Sequence, residues 1–202
     1  ITRLNNMLQS FLDFARPAKP DTEDVDIAHI ICQTCSLLSK KAEAREVTID
    51  CTLVEEPLVV HADATQIRQV LLNLLLNALD AVPNGGSIWV NAIRRRGKGM
   101  RAKSGVRKGA EICVRVTDNG QGLPASARAR IFEPFFSTKD TGLGLGLAIS
   151  KRIIDAHGGQ LIGKDRPEGG AIFEVHLPVR SAPSTASTST PPRSPQATPR
   201  GN

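Results

Sequence analysis

Long apolar runs and a dense set of cysteines are both missing from this sequence. No segment approaches the roughly 20 consecutive apolar residues of a membrane-spanning helix, and no secretory signal stands at the N-terminus. The 202 residues include only 4 cysteines, too few for a disulfide-stabilised scaffold. With 40% hydrophobic and 23% charged residues, the composition is that of a soluble globular protein. We expect a cytoplasmic domain, in a protein whose membrane anchoring, if it has one, lies in segments upstream.

Cys32 and Cys35 form a C-x-x-C pair, and His29 precedes Cys32 by three residues. On a helix all three side chains would share a face, which invites a metal interpretation. A structural zinc site uses four ligands, however, and no second ligand pair follows. The favoured interpretation is that these residues act as small apolar side chains on a buried helix face and bind no metal.

Basic residues are unevenly distributed along the chain. The formal net charge is +6, and the segment 94–108 (RRRGKGMRAKSGVRK) carries 8 basic residues and no acidic one. This segment contains no aromatic side chain for base stacking and is rich in glycine. A solvated hairpin loop is therefore favoured over a nucleic-acid-binding module, and no nucleic-acid partner is expected.

Three parts are expected along the chain. Residues 1–20 begin as a helix with apolar side chains at steps of 3 and 4, the pattern of a helix that packs on a partner helix. Residues 21–180 hold the globular domain. Residues 181–202 contain 9 Ser or Thr and 5 Pro with almost no apolar content, so this tail is predicted to be disordered.

Periodicity within the globular domain predicts an α+β fold with helices on one side of a mixed sheet. Helices are predicted for residues 26–45, 63–82 and 146–156, with Asp63 as an N-cap residue. A short helical piece is expected after Pro124, and the basic segment 94–108 is expected as a loop. Strands are predicted at Val47–Leu53, Leu58–His61, Ser87–Ile93, Glu111–Thr117 and Ala171–Leu177.

The second predicted helix carries Asn73 and Asn77 in a leucine-rich interior. Their spacing of four residues places both on one face, and asparagine is costly to bury without a partner. Two amide oxygens one turn apart are suited to bind Mg²⁺ and to contact phosphate oxygens. The alternative, that both side chains face water, stays open on this pattern alone.

Asp118 ends a predicted strand and opens the sequence Asp-Asn-Gly-Gln-Gly, which includes Gly120 and Gly122. In isolation this sequence is typical of a turn. A carboxylate at a strand end, beside glycines that let a flat ligand approach the backbone, can instead accept a hydrogen bond from an exocyclic amine such as that of adenine. A buried contact of this kind discriminates strongly against analogues that lack the amine.

The third predicted helix is opened by three alternating glycines, Gly142, Gly144 and Gly146. They expose backbone N–H groups at a helix N-terminus, which favours an anion, so a phosphate cradle is predicted. Leu147 stands where a dinucleotide-binding fingerprint requires glycine. A near match to a P-loop at Gly158–Asp165 is rejected, because Asp165 replaces the required Ser or Thr and a helix precedes the segment.

The segment Ile131–Lys139 lies between Asp118 and the glycine-rich loop and contains three phenylalanines. Aromatic clusters beside a lysine suggest a hydrophobic anchor that holds a mobile lid. From such a lid Lys139 would meet a phosphate as a point charge. Ordinary packing of the phenylalanines, with a solvated lysine, is the alternative.

The order of these motifs resembles that of the ATP-binding domain of bacterial sensor histidine kinases, which belong to the GHKL superfamily. Within residues 21–180 the motifs run N-x-x-x-N-A, D-x-G-x-G, F-x-P-F-F, G-x-G-x-G and Gly170-Ala-Ile-Phe173, at family spacing. Residues 1–16 are similar to the end of the second helix of the kinase dimerisation hairpin. The short lid, Ser137 to Thr141, is most similar to the nitrogen-regulation type of these kinases.

The resemblance implies a two-layer α/β sandwich that binds ATP and Mg²⁺. It further implies transfer of the γ-phosphoryl group to a histidine, for relay to an aspartate on the receiver domain of a response regulator. The full-length kinase is expected to be a homodimer.

The resemblance also assigns roles to individual residues. Asn77 would bind Mg²⁺, Asn73 would belong to the cluster of phosphate and metal, and Asp118 would accept from the adenine amine. The residues that would shape the base pocket are Gly120 and Gly122. Those that would hold the phosphates are Gly142, Gly144 and Gly146, with Lys139 nearby.

The sequence departs from the family pattern in three places. Ala171 stands where the last motif usually has threonine, so a water or another donor must help to fix the carboxylate of Asp118. The basic segment is longer than the usual hairpin. The phosphoacceptor histidine of the family has an H-[ED]-x-x-N-P context, which is absent around His29, His61, His157 and His176. His157 is expected to end a helix, so the acceptor and its acidic general base are expected upstream.

Two other functions fit the same superfamily. A GHKL-type ATPase usually has glutamate one turn before the metal-binding asparagine, to activate water. This chain has Asn73 there, and an amide cannot act as a general base at neutral pH. A degenerate scaffold domain is disfavoured by the intact asparagines, Asp118 and glycines.

Overall fold

The chain is described from a computed structural model over residues 19–53, 57–96, 100–102, 105–107, 109–124, 126–137 and 143–179. The helices within these residues are α1 (Ile27–Glu43), α2 (Ala64–Ala81) and α3 (Gly146–Ala156). The strands are β1 (Glu23–Asp26), β2 (Thr48–Leu53), β3 (Val59–Ala62), β4 (Ser87–Arg96), β5 (Met100–Ala102), β6 (Gly105–Arg107), β7 (Ala110–Asp118), β8 (Gln160–Asp165) and β9 (Ala171–Pro178).

The main sheet has five strands in the order β2-β4-β7-β9-β8. β2 and β4 run parallel, and the other neighbours are antiparallel. β1 pairs with β3, and β5 with β6, in two small antiparallel sheets. This mixed, mainly antiparallel sheet under helices confirms the predicted α+β sandwich.

The core lies between the helices and one face of the main sheet. α2 contributes a leucine-rich stripe to the core, namely Ile67, Val70, Leu71, Leu74, Leu75, Ala78 and Leu79. β4 and β7 contribute alternate residues to the core, namely Ile88, Val90, Ala92, Ile112, Val114 and Val116. Because strand side chains alternate between faces, the other face of β7 carries polar residues such as Glu111 and Arg115.

Side chains fix both ends of α2, one from the residue just before the helix and one from a distant part of the chain. Asp63 accepts hydrogen bonds from the N–H groups of Thr65 and Gln66, both at 3.0 Å, which confirms the predicted N-cap. At the other end, the guanidinium of Arg45 donates to the carbonyl oxygen of Val82 at 3.0 Å. The helix that carries Asn73 and Asn77 is therefore held in register with the sheet.

The basic segment 94–108 is not simply a loop, which corrects the sequence-based expectation. Arg94, Arg95 and Arg96 continue β4, each opposite a residue of β7. Part of the remainder forms β5 and β6, and residues 97–99, 103–104 and 108 lie outside the described residues. Pairing with β7 extends the strand because it satisfies backbone groups that a loop would leave to water.

One further prediction is wrong, and one strand was not predicted. Residues after Pro124 form a series of turns rather than a helix, with hydrogen bonds such as Ala127 N–H to Pro124 C=O at 2.8 Å. The segment Gly158–Asp165 contains strand β8, which the sequence pattern missed, so its likeness to a P-loop has no structural basis. His157 ends α3 as predicted.

The predicted helix within residues 1–20 falls largely outside the described residues, as does the tail at 181–202. Within the described residues, no helix has the length and apolar character needed to cross a membrane.

Candidate functional site

A cavity of about 150 Å³ opens where α2, the end of β7, the start of α3 and β9 converge. Its walls include five residues predicted from the sequence to form the site, namely Asn77, Asp118, Gly122, Gly144 and Gly146. Apolar side chains complete the lining, among them Leu123, Ile131 and Phe173. The combination of an apolar pocket with a few polar groups is typical of a small-molecule site.

Asp118 is the buried polar anchor of this cavity. Asp118 is the last residue of β7 and is only 1% exposed. The Oδ1 atom accepts hydrogen bonds from the backbone N–H groups of Gly120, at 2.9 Å, and Ala171, at 3.2 Å. Burial raises the pKa of this carboxyl, against the opposing effect of these two hydrogen bonds and of the Arg166 charge.

Ala171 supplies the donor that the sequence pattern left unassigned. The family pattern places a threonine hydroxyl at this position, whereas here the backbone N–H of Ala171 reaches the carboxylate directly. The preceding residue, Gly170, has φ +101°, and a Cβ there would overlap the carbonyl oxygen of Asp118. Close approach of β9 to the end of β7 therefore requires glycine at this position.

The glycine-rich loop reaches the cavity through Gly144 and Gly146. Gly144 has φ +66°, and a Cβ there would lie 2.5 Å from the carbonyl oxygen of Phe136. The loop is thus pressed against the segment that carries the phenylalanines. Gly142 and Lys139 fall within residues 138–142, outside the described residues, so their predicted phosphate contacts stay predictions.

The two asparagines of α2 occupy different positions. Asn77 lines the cavity. Asn73, one turn earlier, is half-buried and lies outside the lining residues of the cavity, and its Nδ2 donates to the carbonyl oxygen of Gly146 at 3.3 Å and to the hydroxyl of Ser150 at 3.4 Å. Asn73 therefore connects α2 to the first turn of α3.

Sequence reasoning missed the support of the cavity wall by Asp165. This carboxylate ends β8, accepts from the N–H of Leu123 at 3.0 Å and forms an ion pair with Arg128. The three residues fix the turns after Pro124 against the sheet. No local signal marks this role, because 42 residues separate Leu123 from Asp165.

The phenylalanines divide between the cavity and the surface. Phe136 lines the cavity. The guanidinium carbon of Arg130 lies over its ring, 4.6 Å from the ring centre. Phe135 is 61% exposed with φ +64°, a conformation that bulky side chains rarely adopt. Phe136 therefore forms part of the cavity wall and Phe135 faces solvent, while the predicted anchoring of a lid stays a prediction.

All four histidines lie away from the cavity lining. His157 accepts from the N–H of Asp63 through Nε2, at 3.0 Å, and donates from Nδ1 to the carbonyl oxygen of Ile153, at 2.8 Å. These two contacts join the end of α3 to the start of α2. Among the described residues, no group of three or more His, Cys, Asp or Glu side chains is placed to hold a metal ion.

Comparisons with known proteins agree with this geometry. Residues 62–181 match the family of histidine kinase-, DNA gyrase B-, and HSP90-like ATPases. Sensor histidine kinase ZraS of Klebsiella oxytoca is 36% identical over 177 residues, which are 88% of this chain and 36% of that protein. Histidine-protein kinase AtoS of Escherichia coli K12 is 34% identical over 179 residues, 89% of this chain and 28% of that protein. The chain spans about a third of the length of these curated relatives.

Solved structures give the same result. The nucleotide-free catalytic domain of histidine kinase ThkA has a TM-score of 0.66 and 30% identity, over 78% of this chain and 95% of that domain. Full-length ShkA in complex with AMPPNP has a TM-score of 0.71 and 29% identity, over 90% of this chain and 36% of that one. ThkA in complex with response regulator protein TrrA has a TM-score of 0.71 and 26% identity, over 89% and 48%.

The family model covers more than half of the chain, and the ThkA catalytic domain is covered almost completely. This chain belongs to the family of histidine kinase-, DNA gyrase B- and HSP90-like ATPases, and within it to the catalytic domains of sensor histidine kinases.

Proposed function

We propose that this chain is the ATP-binding catalytic domain of a sensor histidine kinase, which transfers the γ-phosphoryl group of ATP to a histidine. The observation that carries the proposal is Asp118, a carboxylate buried at the end of an apolar cavity and held there by two backbone N–H groups. Such a fixed acceptor suits the exocyclic amine of adenine, while the apolar walls suit the base. The family name and the AMPPNP complex of ShkA support the choice of ATP.

The position of the triphosphate follows from the other end of the cavity. Gly144 and Gly146 line it where α3 begins. Backbone N–H groups at a helix N-terminus attract anions, so the phosphates would lie there, with Gly142 and Lys139 completing the cradle. Gly120 and Gly122 would shape the pocket around the base.

Asn77 is the residue proposed to hold Mg²⁺. Its amide oxygen is a hard ligand in the cavity wall, and Mg²⁺ typically takes one or two protein oxygens together with phosphate oxygens and water. The cation would neutralise phosphate charge during transfer. Asn73 would support this arrangement by holding Gly146, through the hydrogen bond from its amide.

The acceptor histidine is proposed to lie outside this sequence. None of the four histidines has the family context or lies at the cavity. In this proposal residues 1–20 end the dimerisation hairpin of a homodimeric kinase of the nitrogen-regulation type, and residues 21–180 form the catalytic domain. The receiver domain of a response regulator would accept the phosphoryl group, as the complex of ThkA with TrrA suggests by analogy.

The domain is further proposed to work in the cytoplasm, with any membrane attachment supplied by other segments of the protein. Residues 181–202 are proposed to be a disordered tail. Hydrolysis of ATP as the main reaction is disfavoured, because Asn73 stands where an ATPase needs a general base and its amide is committed to Gly146 and Ser150.

Calorimetric titration of ATP with Mg²⁺ into the purified chain tests the proposal. We expect saturable binding that weakens at least about tenfold in Asp118→Asn. The asparagine oxygen would keep the two backbone donors, and its NH₂ group would then meet the adenine amine donor to donor. Asp155→Asn, on the surface of α3 outside the cavity, is the matched control and should bind like wild type.

Two results would contradict the proposal. One is a folded wild-type chain that binds no ATP, and the other is equal affinity in Asp118→Asn. Incubation with radiolabelled ATP gives a second readout. We expect no acid-labile phosphohistidine on this chain alone, and we expect label on a separately supplied hairpin that contains the acceptor.

A further inference from the structure

Arg166, in the turn between β8 and β9, contacts an aromatic side chain on a strand that is not its neighbour. It follows Asp165, the last residue of β8, and its guanidinium carbon lies over the ring of Trp89 on β4, 4.6 Å from the ring centre. In the strand order β2-β4-β7-β9-β8, two strands separate β8 from β4. The contact between Arg166 and Trp89 therefore bridges the two strands that lie between them, β9 and β7.

This contact lies on the face of the sheet opposite the helices. Trp89 alternates along β4 with Ile88 and Val90, which are buried in the core under the helices. Arg166 shares a groove of about 310 Å³ with Trp89 on this face, and it is not among the residues that line the cavity with Asp118. Any influence of Arg166 on a nucleotide in the cavity is therefore indirect.

The backbone of the same turn places two residues beside the proposed adenine acceptor. The N–H of Arg166 donates to the carbonyl oxygen of Gly170 at 2.9 Å, and the N–H of Gly169 donates to the carbonyl oxygen of Arg166 at 3.0 Å. A Cβ added to Gly170 would lie 1.9 Å from the carbonyl oxygen of Asp118, and the N–H of Ala171 donates to the Asp118 carboxylate. A shift of Arg166 would therefore move this donor relative to the carboxylate.

Charge gives a second link between Arg166 and Asp118. The side chain of Arg166 is 24% exposed and forms an ion pair with Glu168 at 3.2 Å. Burial raises the pKa of Asp118, while two backbone hydrogen bonds and the charge of Arg166 oppose that rise. Asp165, the carboxylate next to Arg166 in sequence, is paired with Arg128. The charge of Arg166 thus favours the ionised form of Asp118, which only accepts hydrogen bonds.

We propose that Arg166 is a positioning residue of the adenine pocket, which holds the β8–β9 turn on Trp89 and thereby keeps the N–H of Ala171 on the carboxylate of Asp118. The inference rests on the proposed ATP-binding function and adds to it a residue on the opposite face of the sheet. A cation over an indole ring is attracted by the negative face of the ring, most strongly where water is partly excluded. The stack therefore favours the position of the turn in which β9 closes on β7.

Loss of the Arg166 side chain should have two effects on ATP binding, with different pH dependence. Without the stack the turn opens more often, which weakens binding equally at every pH. Without the charge the pKa of Asp118 rises, so its carboxyl takes up a proton at a higher pH than in wild type. A protonated carboxyl loses part of its capacity to accept from the adenine amine, so the affinity of the variant falls further towards acid pH. A residue that only stabilised the fold would not change the pH profile.

Calorimetric titration of ATP with Mg²⁺ into the full chain, at pH values from about 5.5 to 8, tests the inference. Arg166→Met should bind ATP at least about fivefold more weakly near neutral pH, and the difference from wild type should grow towards acid pH. Arg166→Lys keeps a cation over the ring and should restore most of the affinity. Arg94→Met changes an exposed arginine on β4, the strand of Trp89, outside the cavity, and is the matched control that should bind like wild type.

Hydrogen exchange gives a second measurement that needs no nucleotide. The amide of Ala171 should exchange at least about fivefold faster in Arg166→Met, because its hydrogen bond to Asp118 opens more often. Trp89→Leu removes the ring and keeps the charge, so it should give the same faster exchange without the change in pH profile. The amide of Val175, in the middle of β9 between β7 and β8, should exchange as in wild type.

ATP affinity and exchange at Ala171 that are both unchanged in Arg166→Met would overturn the inference and leave the proposed function intact. A loss of affinity equal at every pH, with faster exchange throughout β9, would also overturn it, because it would show a general loss of stability. Failure of the proposed function has a separate sign, which is a folded wild-type chain that binds no ATP. Exchange at Ala171 would then still decide whether Arg166 holds the turn against Asp118.

Discussion

The carboxylate of Asp118 accepts a hydrogen bond from the backbone N–H of Ala171 across 3.2 Å, and this contact joins the end of β7 to the start of β9 beside the cavity. A backbone donor fixes the acceptor as well as a side-chain hydroxyl would, and it cannot rotate away. The contact depends on a close approach of the two strands, which Gly170 permits. The position of the proposed adenine-binding group is therefore set by the backbone of a distant strand.

Two neighbouring glycines allow this dependence to be tested. Gly169 and Gly170 both have positive φ, +95° and +101°, but only at Gly170 would a Cβ collide with Asp118. Gly169→Ala should cost about 1 kcal/mol of backbone strain and leave ATP binding intact. Gly170→Ala should cost more than about 2 kcal/mol and weaken ATP binding at least about tenfold.

Urea unfolding and calorimetry would measure both effects. Equal behaviour of the two variants would show that strain, rather than the approach of β9 to Asp118, accounts for the need for glycine.

A second pair of glycines tests the loop before α3. Gly144 and Gly85 have similar φ values, +66° and +77°. A Cβ added at Gly85 would have no atom within 4 Å, whereas one added at Gly144 would lie 2.5 Å from the carbonyl oxygen of Phe136. Gly144→Ala should displace the loop from the phenylalanine segment and reduce ATP affinity about tenfold or more. Gly85→Ala should lower stability by about 1–2 kcal/mol without changing affinity. Unaltered ATP binding in a folded Gly144→Ala chain would argue against a phosphate role for this loop.

The proposed cation ligand gives a third prediction. Asn77→Ala removes the amide oxygen from the cavity wall, so nucleotide binding in the presence of Mg²⁺ should weaken about tenfold. Binding without Mg²⁺ should change little. Asn91→Ala, a half-buried asparagine on β4 away from the cavity, serves as the control. The same loss with and without Mg²⁺ would assign Asn77 to the nucleotide itself rather than to the cation.

The acid dependence of stability should reflect Glu174, on the face of the sheet opposite the helices. Burial alone would raise its pKa, but hydrogen bonds from Lys164, at 2.6 Å, and Arg115, at 2.8 Å, outweigh burial and lower the pKa from 4.5 to about 2. The folded pKa is the lower one, so these contacts stabilise the fold above pH 4.5 and are lost as the pH falls from 4.5 towards 2.

Glu174→Gln should therefore reduce stability near neutral pH by roughly 1–3 kcal/mol and flatten the decline of stability below pH 4.5. Urea titrations at a series of pH values measure that decline. Glu43→Gln, at the exposed end of α1, is the control and should keep the wild-type slope. A slope unchanged in Glu174→Gln would mean that other carboxyl groups dominate acid unfolding.

Local patterns were sufficient for α1, α2 and α3 and for the identity of the family, but they wrongly predicted a helix after Pro124. Apolar spacing at the helical period marks α2, and Asp63 marks its start, because both signals arise within a few residues of chain. Asp118 and the alternating glycines could be recognised from their order, since the chemistry of a base pocket and a phosphate cradle restricts residue types at short spacing. β8 was missed because Gly163 and its polar residues, which are typical of a loop, form a strand only through pairing with β9.

Contacts between distant segments decided the rest. The hydrogen bond from Ala171 to Asp118, the one from Leu123 to Asp165 and the one from Asn73 to Gly146 each join residues far apart in sequence. The spacing of residues in the sequence does not predict these contacts. Each depends on which elements become neighbours in the fold and on how closely their backbones approach. The residue types of the site follow from the order of the motifs, whereas its dimensions and its rigid backbone donors exist only once β7, β9 and the helices have packed together.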